Sequence, residues 1–316
     1  MRERPFLHIR VVMPAFNVAP WIGAALTSLQ EQTHPDWSAV IVDDGSTDGT
    51  EAVVAQHQDP RIRLIRQANA GVSAARNRGL EEAGGDAVLF LDADDWLARD
   101  AMARLAAALG PAVAAYGPFC FVSESGALRQ RKRGPFPQGD ILERLLEQNL
   151  FANGGHMLIR RSAVDAAGRF RTDITYGEDW EFWIRVALHG SFVVTPGRAP
   201  LLFVRQRASG AYLRLAHDPT SFRSCLDAAF DHPALIARLG RDRLAALRAR
   251  TEAENAWIIG RELIRHGDHR AGCHWLRQAL RAKPQAKRAV LAGAAHMLGL
   301  LPEALQGPFR PYPRAQ

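Results

Sequence analysis

An alternation of strand-like and helix-like stretches over the first 110 residues constrains this chain more than any other feature of its sequence. Ile9–Met13 is a short apolar run that stops at Pro14. Pro20–Gln32 has helical spacing, with Pro20 in a helix-opening position and Trp21, Ala24, Ala25, Leu26 and Leu29 on one face. Ala39–Val42 reads as a buried strand, and the polar stretch Asp43–Thr50 after it reads as a turn that caps the next helix. Arg61–Ile65 alternates like a strand, Ala70–Ala83 reads as a helix, Ala87–Leu91 as a fourth strand and Asp100–Leu109 as a helix. This rhythm predicts an α/β fold, a mainly parallel sheet flanked by helices.

The strand ends are polar: Pro14-Ala-Phe-Asn17, Asp43-Asp44 and Asp92-Ala-Asp-Asp95. Open α/β sheets bind ligands outside the carboxyl ends of their strands, so these ends are already a site hypothesis. From 111 to 215 the pattern loosens: Val113–Val122 and Leu201–Arg205 read as strands, Asp140–Gln148 and Glu178–His189 as helices. From 216 on, Ser221–Phe230, Arg241–Arg265, Asp268–Ala282 and Ala286–Leu298 read as helices, and Gly267–Leu280 resembles half of a tetratricopeptide-type hairpin. The expected division is 1–215 as the α/β domain and 216–316 as a helical extension, with a frayed tail from about 308.

Charge follows the same division. Of the formal +7, residues 1–215 hold none, with 24 Lys+Arg against 24 Asp+Glu. Residues 216–316 hold all of it, with 16 against 9. The pI of about 9.9 therefore concerns the extension. It suggests an anionic membrane surface as a partner, through Arg261, Arg265, Arg270, Arg277, Arg281, Lys283, Lys287 and Arg288, or simply a solvated face. No nucleic acid is expected, because no recognition motif or aromatic stacking platform accompanies the arginines. Cys120, Cys225 and Cys273 are far apart and form no C-x-x-C pair, which argues against structural zinc and a disulfide framework and for a cytoplasmic setting. No signal peptide or spanning run is visible: the longest weakly polar stretch, Ala289–Leu301, falls short of the ~20 residues a bilayer needs.

Asp92-Ala-Asp94-Asp95 follows an apolar strand directly, so its carboxylates emerge together. One or two carboxylates are enough to hold Mg2+ or Mn2+ while phosphate oxygens fill the other positions. A D-x-D triplet also arises as an acidic turn or a helix cap. Haloacid-dehalogenase-type phosphatases place one after a strand too, but theirs opens the fold, whereas this one ends the fourth strand. In Asp43-Asp44-Gly45-Ser46 an Asp is able to accept from a pyrimidine N3–H, or simply to shape a turn.

Together, Val11–Asn17, Val42–Asp48, Asn69–Gly79 and Leu91–Asp95 occur in the order and spacing of the family 2 glycosyltransferases, and Gly177–Trp183 resembles the later acidic motif of that family. The resemblance covers about residues 8–205. It implies a GT-A fold, a nucleoside-diphosphate sugar donor (UDP foremost), Mn2+ or Mg2+, and inversion at the anomeric carbon.

It also implies roles. Pro14, Phe16 and Asn17 would line the nucleotide base, Asp44 would contact it, and Arg76 would approach the diphosphate or form an ion pair within the fold. Asp92 would serve the ribose or the metal, and Asp94 would ligate the metal. Asp179 would be the general base, with Glu178 as fallback. His156, Glu178 and Trp180 are the acceptor candidates. The acceptor would be a hydroxyl of a glycan, a glycolipid or a protein. The competing reading is an inactive transferase-like domain serving as a helical interaction module.

Overall fold

A computed structural model describes residues 6–82, 84–132, 134, 136–207, 218, 220–265 and 267–299. The expected boundary at 215/216 and the tail from 308 lie outside the described residues. The chain divides into two compact units. One is made of 1–142, 150–173 and 178–206, the other of 143–149, 174–177 and 207–316.

In the first unit the order is β1 (Ile9–Ala15), α1 (Ala19–Gln30), β2 (Trp37–Asp43), α2 (Thr50–Gln56), β3 (Ile62–Arg66), α3 (Val72–Glu81) and β4 (Ala87–Phe90). Then come β5 (Trp96–Leu97), α4 (Ala101–Leu109), β6 (Ala114–Tyr116), β7 (Phe119–Val122) and β8 (Leu128–Lys132). After α5 (Leu142–Glu147), which falls mostly in the second unit, follow a 3-10 turn (Gly154–His156), β9 (Met157–Arg160), α6 (Arg161–Ala167), α7 (Glu178–Ala187), β10 (Phe192–Val194) and β11 (Leu202–Arg205).

A seven-stranded sheet runs β10-β6-β9-β4-β1-β2-β3. β4, β1, β2 and β3 are mutually parallel, and β9 enters antiparallel between β4 and β6. β1, β2 and β4 are almost wholly buried, as expected of strands covered on both faces. Ile9, Val11, Met13, Ala39, Ile41 and Leu89 pack with Ile22, Leu26 and Leu29 of α1. A second sheet runs β5-β11-β7-β8.

The single strand expected over Val113–Val122 is two strands in two different sheets. Gly117 and Pro118 break it: Pro118 has no N–H to give a ladder, and a Cβ on Gly117 would meet Thr195 Oγ1 at 2.1 Å. The chain crosses between sheets there.

The second unit contains α8 (Arg223–Phe230), α9 (Pro233–Leu239), α10 (Arg241–Arg265), α11 (His269–Ala282) and α12 (Ala286–Gly299). α10 and α11 approach so closely at Gly260 and Gly272 that a Cβ on either would lie 2.7–2.8 Å from the other's carbonyl oxygen. Trp257 and Ile264 pack there with Cys273, Leu276 and Ala279. Two cations of the expected basic face are already engaged, since Lys283 and Arg288 both donate to Glu254. The side chains of Arg265 and Lys287 lie outside the described residues. Among the described residues no helix is long and apolar enough to cross a membrane.

Candidate functional site

The loops after β1 and β2 are laced together. The amide of Asn17 donates to Ser46 Oγ at 3.0 Å, and Asn17 Oδ1 accepts from the amide of Thr47 at 2.9 Å. Asn17 adopts φ 50, a left-handed conformation that Asn tolerates better than most residues. The first orphan amides of α1 are taken by the neighbouring loop, Val18 by Thr50 Oγ1 and Ala19 by Asp48 Oδ2. Pro14 sits at the end of β1, and Phe16 beside this lacing is 48% exposed, a large apolar ring left in solvent at a strand end.

Asp44 is buried in a cup of donors. Its Oδ1 accepts from Gln67 Nε2 at 2.7 Å and from the amide of Ala70 at 2.9 Å; its Oδ2 accepts from the amide of Gly71 at 2.8 Å. A carboxylate has about four acceptor positions, so this cup leaves about one open. Asp43 organises the turn instead, accepting from the amide of Ser46 at 2.9 Å.

Asp92, Asp94 and Asp95 share the turn that follows β4, closed by the amide of Asp95 donating to the carbonyl of Asp92 at 3.0 Å. Asp92 and Asp94 are partly exposed and Asp95 is buried. Burial first, then the charges of Asp94 and Asp92, push the Asp95 carboxyl well above the usual range. Two residues that sequence reasoning missed hold this turn. Asn153 Nδ2 donates to Asp95 Oδ2 at 2.6 Å and to Asp92 Oδ2 at 3.2 Å. Arg205 donates its amide to Asp95 Oδ1 at 2.7 Å and its Nε to the carbonyl of Asp94 at 3.0 Å. The signal for Asn153 was present, an Asn opening Gly154-Gly155; Arg205, at the end of a strand, carried none.

Gly154 is where the backbone of this loop meets β4. A Cβ there would lie 2.6 Å from Phe90 Cβ and 2.9 Å from its carbonyl oxygen. Gly154→Ala is expected to lose about 1–3 kcal/mol of stability in urea unfolding, because buried backbone must shift to admit the methyl.

Arg76, buried on α3, joins the Asp92–Asp95 turn to the start of α7. It donates to Asp92 Oδ1 and to Glu178 Oε1, both at 3.0 Å. This is the ion pair within the fold. Burial opposes the charge of Arg76, but Asp92, Glu178 and Asp179 outweigh it and raise its pKa above the ordinary value.

Asp179 stands in the first turn of α7, partly exposed. Withdrawal from water first, then the neighbouring Glu178 charge, raise its carboxyl to about 7, while Arg76 and the Trp180 amide pull the other way. A carboxylate with a pKa near neutrality is matched to proton transfer at working pH.

His156 and Trp180, two of the acceptor candidates, are enclosed. His156 is fully buried against Phe119, with its Nδ1 bonded to the carbonyl of Gly117 at 2.9 Å. Burial, partly opposed by that bond, lowers its pKa to about 4, so it is neutral at pH 7. Trp180 is buried too, and Phe182 and Trp183 of the same helix pack on Phe90 and Phe170. Glu178 alone of the three combines partial exposure with a place beside Asp179.

Residues 10–168 match the model of the family described as Glycosyl transferase family 2. A curated relative, the UDP-Glc:alpha-D-GlcNAc-diphosphoundecaprenol beta-1,3-glucosyltransferase WfgD of Escherichia coli, is 37% identical over 92 residues, 28% of this chain and 36% of WfgD. The alignment thus spans well under two thirds of that relative's length. Among solved structures, S. aureus TarS 1-349 in complex with UDP superposes with a TM-score of 0.63 at 15% identity, covering 93% of this chain and 90% of that one. The mannosyltransferase PcManGT from Pyrobaculum calidifontis, in complex with GDP-Man and Mn2+, gives 0.60 at 20% identity, covering 97% and 86%. The fold is of the GT-A type.

Proposed function

Because this chain belongs to glycosyl transferase family 2, we propose that it moves a sugar from a nucleoside-diphosphate sugar to a hydroxyl of a glycan, glycolipid or protein acceptor, with inversion. The observation that carries this is Asp179, raised to about 7 beside Glu178, which Arg76 ties to Asp92 of the Asp92–Asp95 turn. Asp179 takes the acceptor proton as that oxygen bonds to the anomeric carbon. The bond from that carbon to the diphosphate oxygen breaks on the opposite face, and the electron pair leaves with the nucleoside diphosphate. Arg76 holds Asp92 and Glu178 by hydrogen bonds, and its positive charge favours the ionised form of Asp179. Phe16 packs on the base, beside Pro14 and Asn17, and the remaining acceptor position of Asp44 takes a base N–H.

Among the described residues no three His, Cys, Asp or Glu side chains are grouped to hold a metal alone. That suits a magnesium-like ion, which usually takes one or two carboxylates and completes its shell with water and substrate phosphate. Asp94, with Asp92, would hold Mn2+ or Mg2+ in this reading. Bound there, the ion would offset the negative charge of the leaving diphosphate.

UDP is the favoured nucleotide, since both TarS and WfgD are described with uridine diphosphate ligands or donors. A thermal-shift screen of UDP-, GDP- and dTDP-sugars with Mn2+ tests the donor. At a hundredfold excess over Kd, binding adds about 2.7 kcal/mol, which raises Tm by several degrees. Asp94→Asn is expected to abolish the Mn2+-dependent part of the shift. A full shift in that variant would remove Asp94 from the metal site.

A further inference from the structure

We propose that Asn153 is a positioning residue for the metal carboxylates: one side-chain amide sets the orientation of Asp92 and Asp95 and so aims Asp94 into the site. This rests on the transferase reading above. The orientation of the amide is fixed by its partners. Asn153 Oδ1 accepts from the amide of Gly155 at 2.8 Å, which leaves the Nδ2 end facing the acidic turn. An amide nitrogen carries two hydrogens, and two carboxylates receive them, Asp95 at 2.6 Å and Asp92 at 3.2 Å.

The turn is therefore held from both sides. Arg76 fixes the other oxygen of Asp92, and the amide of Arg205 fixes the other oxygen of Asp95. The carbonyl of Asp94 is fixed by Arg205 Nε. The backbone from which the Asp94 side chain projects is thus held in place. Three acidic side chains within four residues repel one another, and the neutral donor pair of Asn153 lies between two of them without adding a positive charge that would compete with a cation. Partners that orient metal-ligating carboxylates typically change metal affinity by about 10–100-fold when removed.

Asn153 also caps the 3-10 turn through that bond to Gly155, and the test must separate the two roles. Ser is as good a cap as Asn, but its hydroxyl carries one hydrogen and cannot span two carboxylates while accepting from Gly155. Asn153→Ser and Asn153→Ala are made in the full chain. Mn2+ affinity is read from the free-ion EPR signal during titration with saturating UDP, alongside Tm without metal and UDP affinity without metal.

Both variants are expected to bind Mn2+ about 10–100-fold more weakly, with metal-free UDP affinity within twofold of wild type and the Ser variant melting near wild type. Wild-type Mn2+ affinity in the Ser variant would reduce Asn153 to a loop cap and overturn the proposal, as would wild-type affinity in both. If the unsubstituted chain showed no UDP-linked Mn2+ binding, the transferase reading itself would fall. Normal binding there, with unaffected variants, would sink the role of Asn153 alone.

Discussion

Asp179→Asn is expected to lower transfer by about 10²–10⁴-fold, the usual contribution of a positioned base, while donor binding in the thermal-shift screen stays within twofold. The amide keeps the shape and cannot take the acceptor proton. In the unsubstituted protein kcat should rise with pH and level off above about 7, where Asp179 is ionised. A profile flat from pH 5 to 8, or full turnover by the Asn variant, would remove Asp179 as the base.

The same carboxyl has a consequence for stability. Its folded pKa lies above the ~3.9 of an unfolded Asp, so the folded chain holds a proton there that the unfolded chain has released. Stability from this group is full below about pH 4 and is lost as pH rises through about 7. Asn, always neutral, avoids that loss. Asp179→Asn should therefore be more stable than wild type at pH 8, by on the order of 2 kcal/mol after allowance for partial exposure, and equal to it near pH 4.

Arg76→Met should destabilise the fold by about 3–5 kcal/mol in urea unfolding. It leaves Asp92 and Glu178 without their buried counter-charge, and the cost of an unpaired charge exceeds that of losing the pair outright. It should also raise the pKa of Asp179, because Arg76 is a charge that lowers it. Any residual activity should then need more alkaline pH than wild type. Arg76→Lys keeps the charge but not the planar fork that reaches two carboxylates, and should fall between the two in stability. An unchanged pH profile in Arg76→Met would disconnect Arg76 from the base.

Much of this was legible in the residues. β1, α1, β2, β3, α3 and β4 follow from apolar runs broken by polar strand ends, and the structure places them within a few residues of the expected bounds. Strands covered on both faces announce themselves as unbroken apolar runs, as Ala39–Val42 does. β8 was illegible because all five of its residues are exposed and four are polar or charged. β5 is two residues long, below any period.

The site was legible where each group stands at the end of its own strand or helix, as Asp44, Asp92, Asp94 and Asp179 do. It was not legible where the group depends on a distant partner. Asn153 meets Asp92 and Asp95 across about 60 residues of chain, and Arg205 meets Asp95 across more than 100. The ion pair of Arg76 with Glu178 spans a similar distance. No local pattern encodes such pairs. The burial of His156 likewise depends on Gly117, at the break between β6 and β7, and Phe119 of β7 arriving from about 40 residues away.

The order of strands in the large sheet also sets a timetable for synthesis. β4 lies at the centre, and its apolar edge waits for β9, which follows roughly 70 residues later. At a ribosomal pace of about 5–20 residues per second, that edge is open for some seconds, a span in which unpaired strand edges invite wrong partners. The parallel strands β1, β2, β3 and β4 can assemble early. β9, with Asn153 just before it, comes late, so the Asp92–Asp95 turn is made well before the amide that holds it.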